Sequence, residues 1–297
     1  MRLSFLKRKL TAPAAPPSTG ALVPPWPVTD PAERERLQAL VQSCVFWWHS
    51  LDLGQGVVTP GHKTPEVLRA ELEAQRWPDL RGKAVLDVGA WDGFFSFEAE
   101  RRGARRVVAL DHYVWSLDHA RTGPYCQKCR DEGVSVRPFH TFPDLFRPDT
   151  LPGKRGFDMA RQALRSRVEP VVGDFMEIDL APLGTFDLVL FLGVLYHMPH
   201  TLAALARVCR LTSELAVIET EALALPGFEG RAVCEFFEGD ELGADPTNWW
   251  VPNAKALEGL CRAAGFRRAE VLTTPPRARF PKPGQVLRYR AVAHAWK

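Results

Sequence analysis

From residue 84 the chain alternates between two kinds of segment. AVLDV (84–88) is a short apolar run with no helical period, and FFSFEAERRG behind it is a helical pattern stopped at Gly103. RVVAL (106–110), EPVVGD (169–174), FDLVLFLG (186–193) and ELAVIET (214–220) repeat the apolar run, with TLAALARVCRL as a helix before the last. Runs of this length, apolar throughout, read as strands buried on both faces. Alternation with helices implies an α/β fold with a doubly wound, parallel sheet. NAKALEGLCRAAG (253–265) is a further helix with Gly265 as its stop. AEVLTT and QVLRYRAVAHAW then follow with only the proline-rich loop 275–284 between them, so these last two strands should pair antiparallel.

The rest of the chain divides around that alternation. Residues 11–31 contain seven prolines, a composition that suits a poorly ordered leader over 1–31. Residues 32–80 read as a helical and loop cap, in which Thr64-Pro65-Glu66 has the form of an N-cap followed by proline at the first helical position. The α/β domain takes 81–297, with a long insertion at 112–167 and a second at 222–251.

Charge argues against a protein that lives on phosphate contacts. The formal net charge is +3, but Arg2, Lys7, Arg8 and Lys9 alone supply four positives, so the remainder is close to neutral. Two stretches, 153–167 and 267–290, are locally basic and read either as solvated faces or as nucleic-acid contacts. No apolar run approaches the roughly 18–20 residues a membrane span needs, and the N-terminus lacks a signal-peptide core, so a cytoplasmic protein is expected. Cys126 and Cys129, with His112, His119 and His140 nearby, have a spacing that matches no zinc pattern, and no metal is expected.

The turn after the first strand narrows the ligand. In a dinucleotide fold the second glycine of G-x-G-x-x-G admits the pyrophosphate, and here that position is Trp91, between Gly89-Ala90 and Asp92-Gly93. Asp87, just before the turn, would repel a pyrophosphate and hold an ammonium group. Asp111 ends the second strand, where an acid accepts from both ribose hydroxyls. Asp174 ends the third, placed to accept from an adenine amino group while Phe175 packs on the ring. Each acid alone also reads as a turn residue. Together, at successive strand ends, they fit a ligand with a cationic amino-acid tail and no phosphates: S-adenosyl-L-methionine.

VLDVGAWDG, VVALDHY, VVGDF and FDLVLFLGVLYHMPH, in that order, resemble the class I Rossmann-fold S-adenosylmethionine-dependent methyltransferases. FLGVLYHMPHTLAAL and NWWVPNAKALEGLCRAAGF resemble, more narrowly, the branch containing the tRNA wobble-uridine (5-oxyacetate pathway) carboxymethyl transferase. The resemblance spans roughly 46–295 and implies a seven-stranded, mostly parallel sheet with a reversed last strand. It also implies that Gly89, Ala90, Trp91, Gly93, His112, Leu192 and Gly193 border the nucleotide, with the fourth strand's end beside the sulfonium. In that branch Tyr196 and Arg290 match positions holding the extra carboxylate of a carboxylated cofactor. The branch's early lysine is missing, because FWWHSLDL stands in its place, which favours the plain cofactor and a plain methyl group.

On the acceptor side, His197 is of a type that can titrate near neutrality and reads either as a proton acceptor or as a loop anchor, with Tyr196 beside it. Trp48, His49 and Trp249 are candidate walls of the acceptor pocket; Phe46 and Trp250 read as core. Glu219 and Glu221 read equally as cavity lining or as solvated caps. The expected activity is methyl transfer to a hydroxyl or amine of a small or sugar-like acceptor. The alternatives are a tRNA wobble-uridine (carboxy)methyl transferase and a non-catalytic nucleotide-binding scaffold.

Overall fold

The computed structural model describes residues 29–275 and 285–297. The leader therefore lies outside the described residues up to position 28, as does most of the loop 275–284. Asp30 accepts from the N–H groups of Ala32 and Glu33 and so caps α1 (Pro31–Ser43). Thr64 caps α2 (Pro65–Gln75), again with proline at the first helical position.

The core begins at β1 (Ala84–Val88), all five of whose residues are buried. It is followed by α3 (Phe94–Arg101), β2 (Arg106–Asp111), α4 (Tyr113–Ser116), α5 (His119–Glu132), α6 (Arg155–Ala163), β3 (Glu169–Val172), β4 (Phe186–Leu192), α7 (Thr201–Leu211) and β5 (Thr212–Ala224). The chain ends with β6 (Cys234–Phe236), β7 (Trp250–Pro252), α8 (Ala254–Ala263), β8 (Arg268–Val271) and β9 (Leu287–Trp296). Seven strands form one sheet in the order β3-β2-β1-β4-β5-β9-β8. All its pairings are parallel except β5–β9 and β8–β9. This is the expected architecture, with the late antiparallel pair included. β6 and β7 make a separate two-stranded ribbon inside the second insertion.

The order places a topological switch between β1 and β4: later strands run outward from β1 on one side and from β4 on the other. The carboxyl ends of these strands are where an open α/β sheet binds its ligand. Both insertions reach that edge and meet, since the Val136 N–H donates to Asp240 at 2.7 Å. The cap segment 44–63 folds back on itself through backbone bonds such as Ser50 N–H to the Lys63 carbonyl at 3.0 Å, and it reaches that edge through the His49 N–H, which donates to Asp92 at 2.9 Å. At Gly61 the chains touch so closely that a Cβ would lie 2.1 Å from the His49 carbonyl carbon, so only glycine fits.

Candidate active site

The loop 89–93 is held by the ends of its two neighbouring strands. Gly89 donates to the Leu110 carbonyl at 2.8 Å, and its φ of +78° is one that glycine alone takes without strain. Trp91 also lies in the left-handed region, at φ +53°, which for a tryptophan costs on the order of 1–2 kcal/mol. Three contacts offset that cost. Its N–H donates to Asp111 at 2.9 Å and its carbonyl accepts from the Trp115 indole at 2.6 Å. Its ring lies parallel to Trp48, with centroids 4.5 Å apart at 4°. Phe46 and His119 extend the stack. The tryptophan is therefore the piece that clamps the cap to the nucleotide loop.

Asp92, which sequence reasoning passed over, is the other half of the clamp. One carboxylate oxygen accepts from the N–H groups of Trp48 and His49, at 2.8 and 2.9 Å, while the other binds His49 Nδ1. His49 is 4% exposed. It is thus a buried partner of Asp92, which corrects its expected place in the acceptor wall. Trp48 keeps a half-buried face in the stack. Phe46 belongs to the same stack and is half-buried, so the expectation that it is core is corrected too. Trp250 is also half-buried, its indole donating to the Pro199 carbonyl at 3.1 Å.

Asp87 and Asp111 are buried acids near the ends of the neighbouring strands β1 and β2, Asp87 standing opposite Ala109, two residues before Asp111. Asp87 accepts from the Ser96 hydroxyl at 2.6 Å. Asp111 accepts from the N–H groups of Trp91 and Val114. Burial pushes both carboxyl groups up to about 6, and for Asp87 the negative charge of Asp111 adds to the rise. Among the described residues neither forms an ion pair with lysine or arginine. Two buried carboxylates lacking a cation, beside a turn that glycine opens, suit a ligand that brings positive charge and hydroxyl groups.

On the third strand the expectation needs revision. Asp174 is exposed, and one of its oxygens accepts from the Met176 N–H at 2.7 Å, which leaves the other for a ligand. Phe175 is 6% exposed and packs on Phe191 with centroids 5.5 Å apart. It is a core residue, because the turn at Gly173-Asp174 aims it under the sheet. His112 sets its ring edge-on against Phe146, after Asp111.

Beyond β4, Gly193 takes φ +71°, and its backbone faces a polar cluster. A Cβ there would lie 3.5 Å from an Arg290 nitrogen, 3.6 Å from the Tyr196 hydroxyl and 3.9 Å from Glu219. Arg290, on β9, forks onto Glu219 with both arms and reaches Glu221 at 3.0 Å. Its guanidinium lies 5.0 Å from the centre of the Tyr196 ring. Burial raises the Tyr196 hydroxyl, with Arg290 opposing. The expected availability of Arg290 for an incoming carboxylate is thus corrected: two glutamates already hold it. His197 is next to Tyr196, rings 4.3 Å apart, and its Nδ1 meets Thr247. Trp249 donates its N–H to the Tyr196 carbonyl at 2.8 Å, and its ring is half-buried near Phe236. Cys126 and Cys129 sit on α5, Cys129 buried.

With this geometry in place, comparison with known proteins decides the family. The methyltransferase domain family matches residues 61–271, well over half of the chain. The chain belongs to that family. Its methyl donor is S-adenosylmethionine, and the buried acids of β1 and β2 fit it. The tRNA U34 carboxymethyltransferase of Shewanella loihica is 28% identical over 192 residues, 63% of this chain and 44% of that protein. The ribosomal protein L11 methyltransferase of Sorangium cellulosum is 36% identical over 101 residues, 34% of this chain and 28% of that one. The match thus spans less than half the length of either relative. Among solved structures, the N-terminal domain of EvdMO1 with SAH and D-fucose has a TM-score of 0.55 at 19% identity, covering 89% of this chain and 97% of that one. No helix among the described residues is long and apolar enough to cross a membrane.

The raised acids carry a prediction. A carboxyl whose folded pKa stands above its unfolded value stabilises the fold at low pH, and that contribution is lost as pH rises through the folded pKa. For Asp87 and Asp111 the window is about pH 4 to 6, so the free methyltransferase should lose some stability across it. Binding of a cationic ligand favours the ionised acids. Cofactor affinity should therefore rise from pH 5 to 7 by roughly 10-fold for each acid that must ionise, one unit of protonation cost being a factor of ten. Calorimetry at three pH values checks this, and a flat profile would refute it.

Proposed function

We propose that this chain moves a plain methyl group from S-adenosylmethionine to a hydroxyl or amine of a small, sugar-like acceptor. One observation carries the reading: Arg290 is shared between Glu219 and Glu221 beside Gly193 and Tyr196. One cation between two carboxylates leaves a local excess of negative charge. Such a field attracts a sulfonium and repels the added carboxylate of the carboxylated cofactor. Two like charges about 4 Å apart cost roughly 4 kcal/mol at an effective dielectric constant near 20. Lys63, the one lysine of the cap, already pairs with Glu71 at 2.8 Å.

In this reading Asp87 and Asp111 orient the donor, and the clamp of Trp91, Trp48 and Asp92 closes the loop against water. When bound, S-adenosylmethionine supplies an electrophilic methyl carbon. The protein's task is to align the acceptor atom and take up its proton. The carboxylates of Glu219 and Glu221 suit hydroxyl and amine donors better than phosphates. D-fucose in the crystals of the EvdMO1 domain is compatible with a sugar-like acceptor on this frame.

Calorimetric titration with the plain and the carboxylated cofactor tests the reading. The plain form should bind at least about 10-fold tighter, a difference of roughly 1.4 kcal/mol. A preference for the carboxylated form would overturn it and turn attention to tRNA wobble uridine, the substrate named for the relatives from Shewanella loihica and Desulfotalea psychrophila.

A further inference from the structure

His197 ends a short 3-10 turn after β4, and the second insertion, fifty residues further along the chain, brings Thr247 to it. The His197 Nδ1 lies 3.2 Å from the Thr247 backbone carbonyl and 2.9 Å from the Thr247 hydroxyl. A carbonyl oxygen can only accept, so Nδ1 carries the ring proton, and Nε2 is left with its lone pair. The threonine hydroxyl is fixed in turn. It donates to Asp245 at 2.6 Å, and the same aspartate oxygen accepts from the Thr247 N–H at 2.9 Å. Asp245, Thr247 and His197 thus form a directional chain of hydrogen bonds. It runs from an acid on the insertion to an imidazole at the end of a strand beside the ligand edge. Nε2 has no hydrogen-bond partner among the described residues.

From this geometry we infer that Asp245 and Thr247 are positioning residues that fix His197 in the tautomer needed for it to act as the general base, a role that rests on the methyl-transfer reading above. As the acceptor's lone pair bonds to the methyl carbon, the carbon–sulfur bond breaks and its electron pair stays on sulfur. The acceptor's O–H or N–H proton passes to Nε2, and the imidazolium that forms is stabilised through Thr247 by Asp245. Solvent then takes the proton.

The charged and titratable groups around the ring are Asp245 from the insertion, Tyr196 beside it on the same turn, and Arg290 from β9 with Glu219 and Glu221 behind it. Burial lowers the imidazole below its ordinary value, while Asp245 opposes this. Tyr113, whose hydroxyl is largely buried, feels the Asp245 charge from the other insertion.

The test compares Thr247→Val, Thr247→Ser and Asp245→Asn. Imidazole 15N spectra of the unliganded protein, recorded across pH, read the His197 tautomer and its titration without any turnover. The wild type should show the proton on Nδ1. Asp245→Asn removes an anion that favours the imidazolium, so the His197 titration should move to lower pH. Thr247→Val should displace it in the same direction but by less, because the Asp245 charge stays while the hydroxyl that joins it to the ring is gone. Thr247→Ser should restore the wild-type curve. Once an acceptor is in hand, kcat should fall about 10-fold or more in Thr247→Val with KM little changed, within the range general-base catalysis spans. The acid limb of its pH profile should move with the titration. A proton on Nε2 in the wild type, or a Thr247→Val titration identical to wild type, would overturn the relay. These spectra stand apart from the cofactor-preference experiment, so either reading can fail alone. Should Thr247→Val not fold, Thr247→Ser and Asp245→Asn still give the comparison.

Discussion

Replacing Asp111 by alanine should reduce S-adenosylmethionine binding by at least about 100-fold, with the protein still folded. The expectation rests on two separate jobs of one carboxylate. It faces the ligand edge at the end of β2, and its oxygens also accept from Trp91 and Val114. Hydrogen bonds to a charged group contribute about 1.5–3 kcal/mol each, and 2.7 kcal/mol already corresponds to 100-fold. Without the carboxylate, nothing accepts the Trp91 N–H, and the left-handed conformation of that residue loses one of its three supports. Asp111→Asn separates the jobs. Its amide oxygen can still accept a backbone N–H, so the loop should keep its shape while the charge is gone. Asn should therefore bind the cofactor more weakly than wild type but melt close to it, whereas Ala loses both. Calorimetry and thermal melting measure the two effects. Cofactor affinity unchanged in the alanine variant would remove Asp111 from the site. Loss of cofactor binding with an intact cellular role would support the scaffold alternative over an enzyme.

What the sequence could convey depended on how far apart the interacting residues lie. The strands were legible because each is a local apolar run, and the acids at the ends of β1 and β2 were legible because they adjoin those runs. Trp91 was noticed only as a misfit. Its explanation needed Trp48 and Trp115, which lie 43 and 24 residues away. Asp92 gave no sign, since an acid in a glycine turn is unremarkable until a second segment brings it two N–H groups and an imidazole. Phe175 was misplaced because a two-residue turn sets the direction of the next side chain, and no periodicity survives such a turn. Arg290 was assigned by analogy to a partner that Glu219 and Glu221 displace. Those glutamates are cross-strand neighbours of β9, with Glu221 directly opposite Arg290, a register that local pattern cannot give. Thr247 and Asp245 belong to an insertion with little regular structure, and they acquire meaning only when it folds back to His197.

The largest loss of stability should come from Asp92→Ala. The carboxylate is buried and holds three groups from the cap: the N–H of Trp48, the N–H of His49 and the His49 ring. Removing a buried carboxylate leaves the donors it held desolvated and unpaired, at about 1–3 kcal/mol each. Two backbone N–H groups would lose their acceptor at the same time. Asp92→Asn, which keeps an oxygen for those N–H groups, should cost less. His49→Ala leaves Asp92 bonded to both backbone donors and should also cost less than Asp92→Ala, as long as the collapse around a small cavity is good. The order Asp92→Ala above the other two distinguishes a clamp centred on the carboxylate from a merely hydrophobic contact of the cap, which would make His49→Ala the costlier change. The optical signature is specific, because Trp48 and Trp91 stack face to face. Release of the cap should unstack them and alter near-ultraviolet circular dichroism before global unfolding, while far-ultraviolet signal from the sheet persists. If Asp92→Ala melts within 1 kcal/mol of wild type (~1 kcal/mol being the ordinary effect of a point change), the cap is held by its aromatic contacts alone.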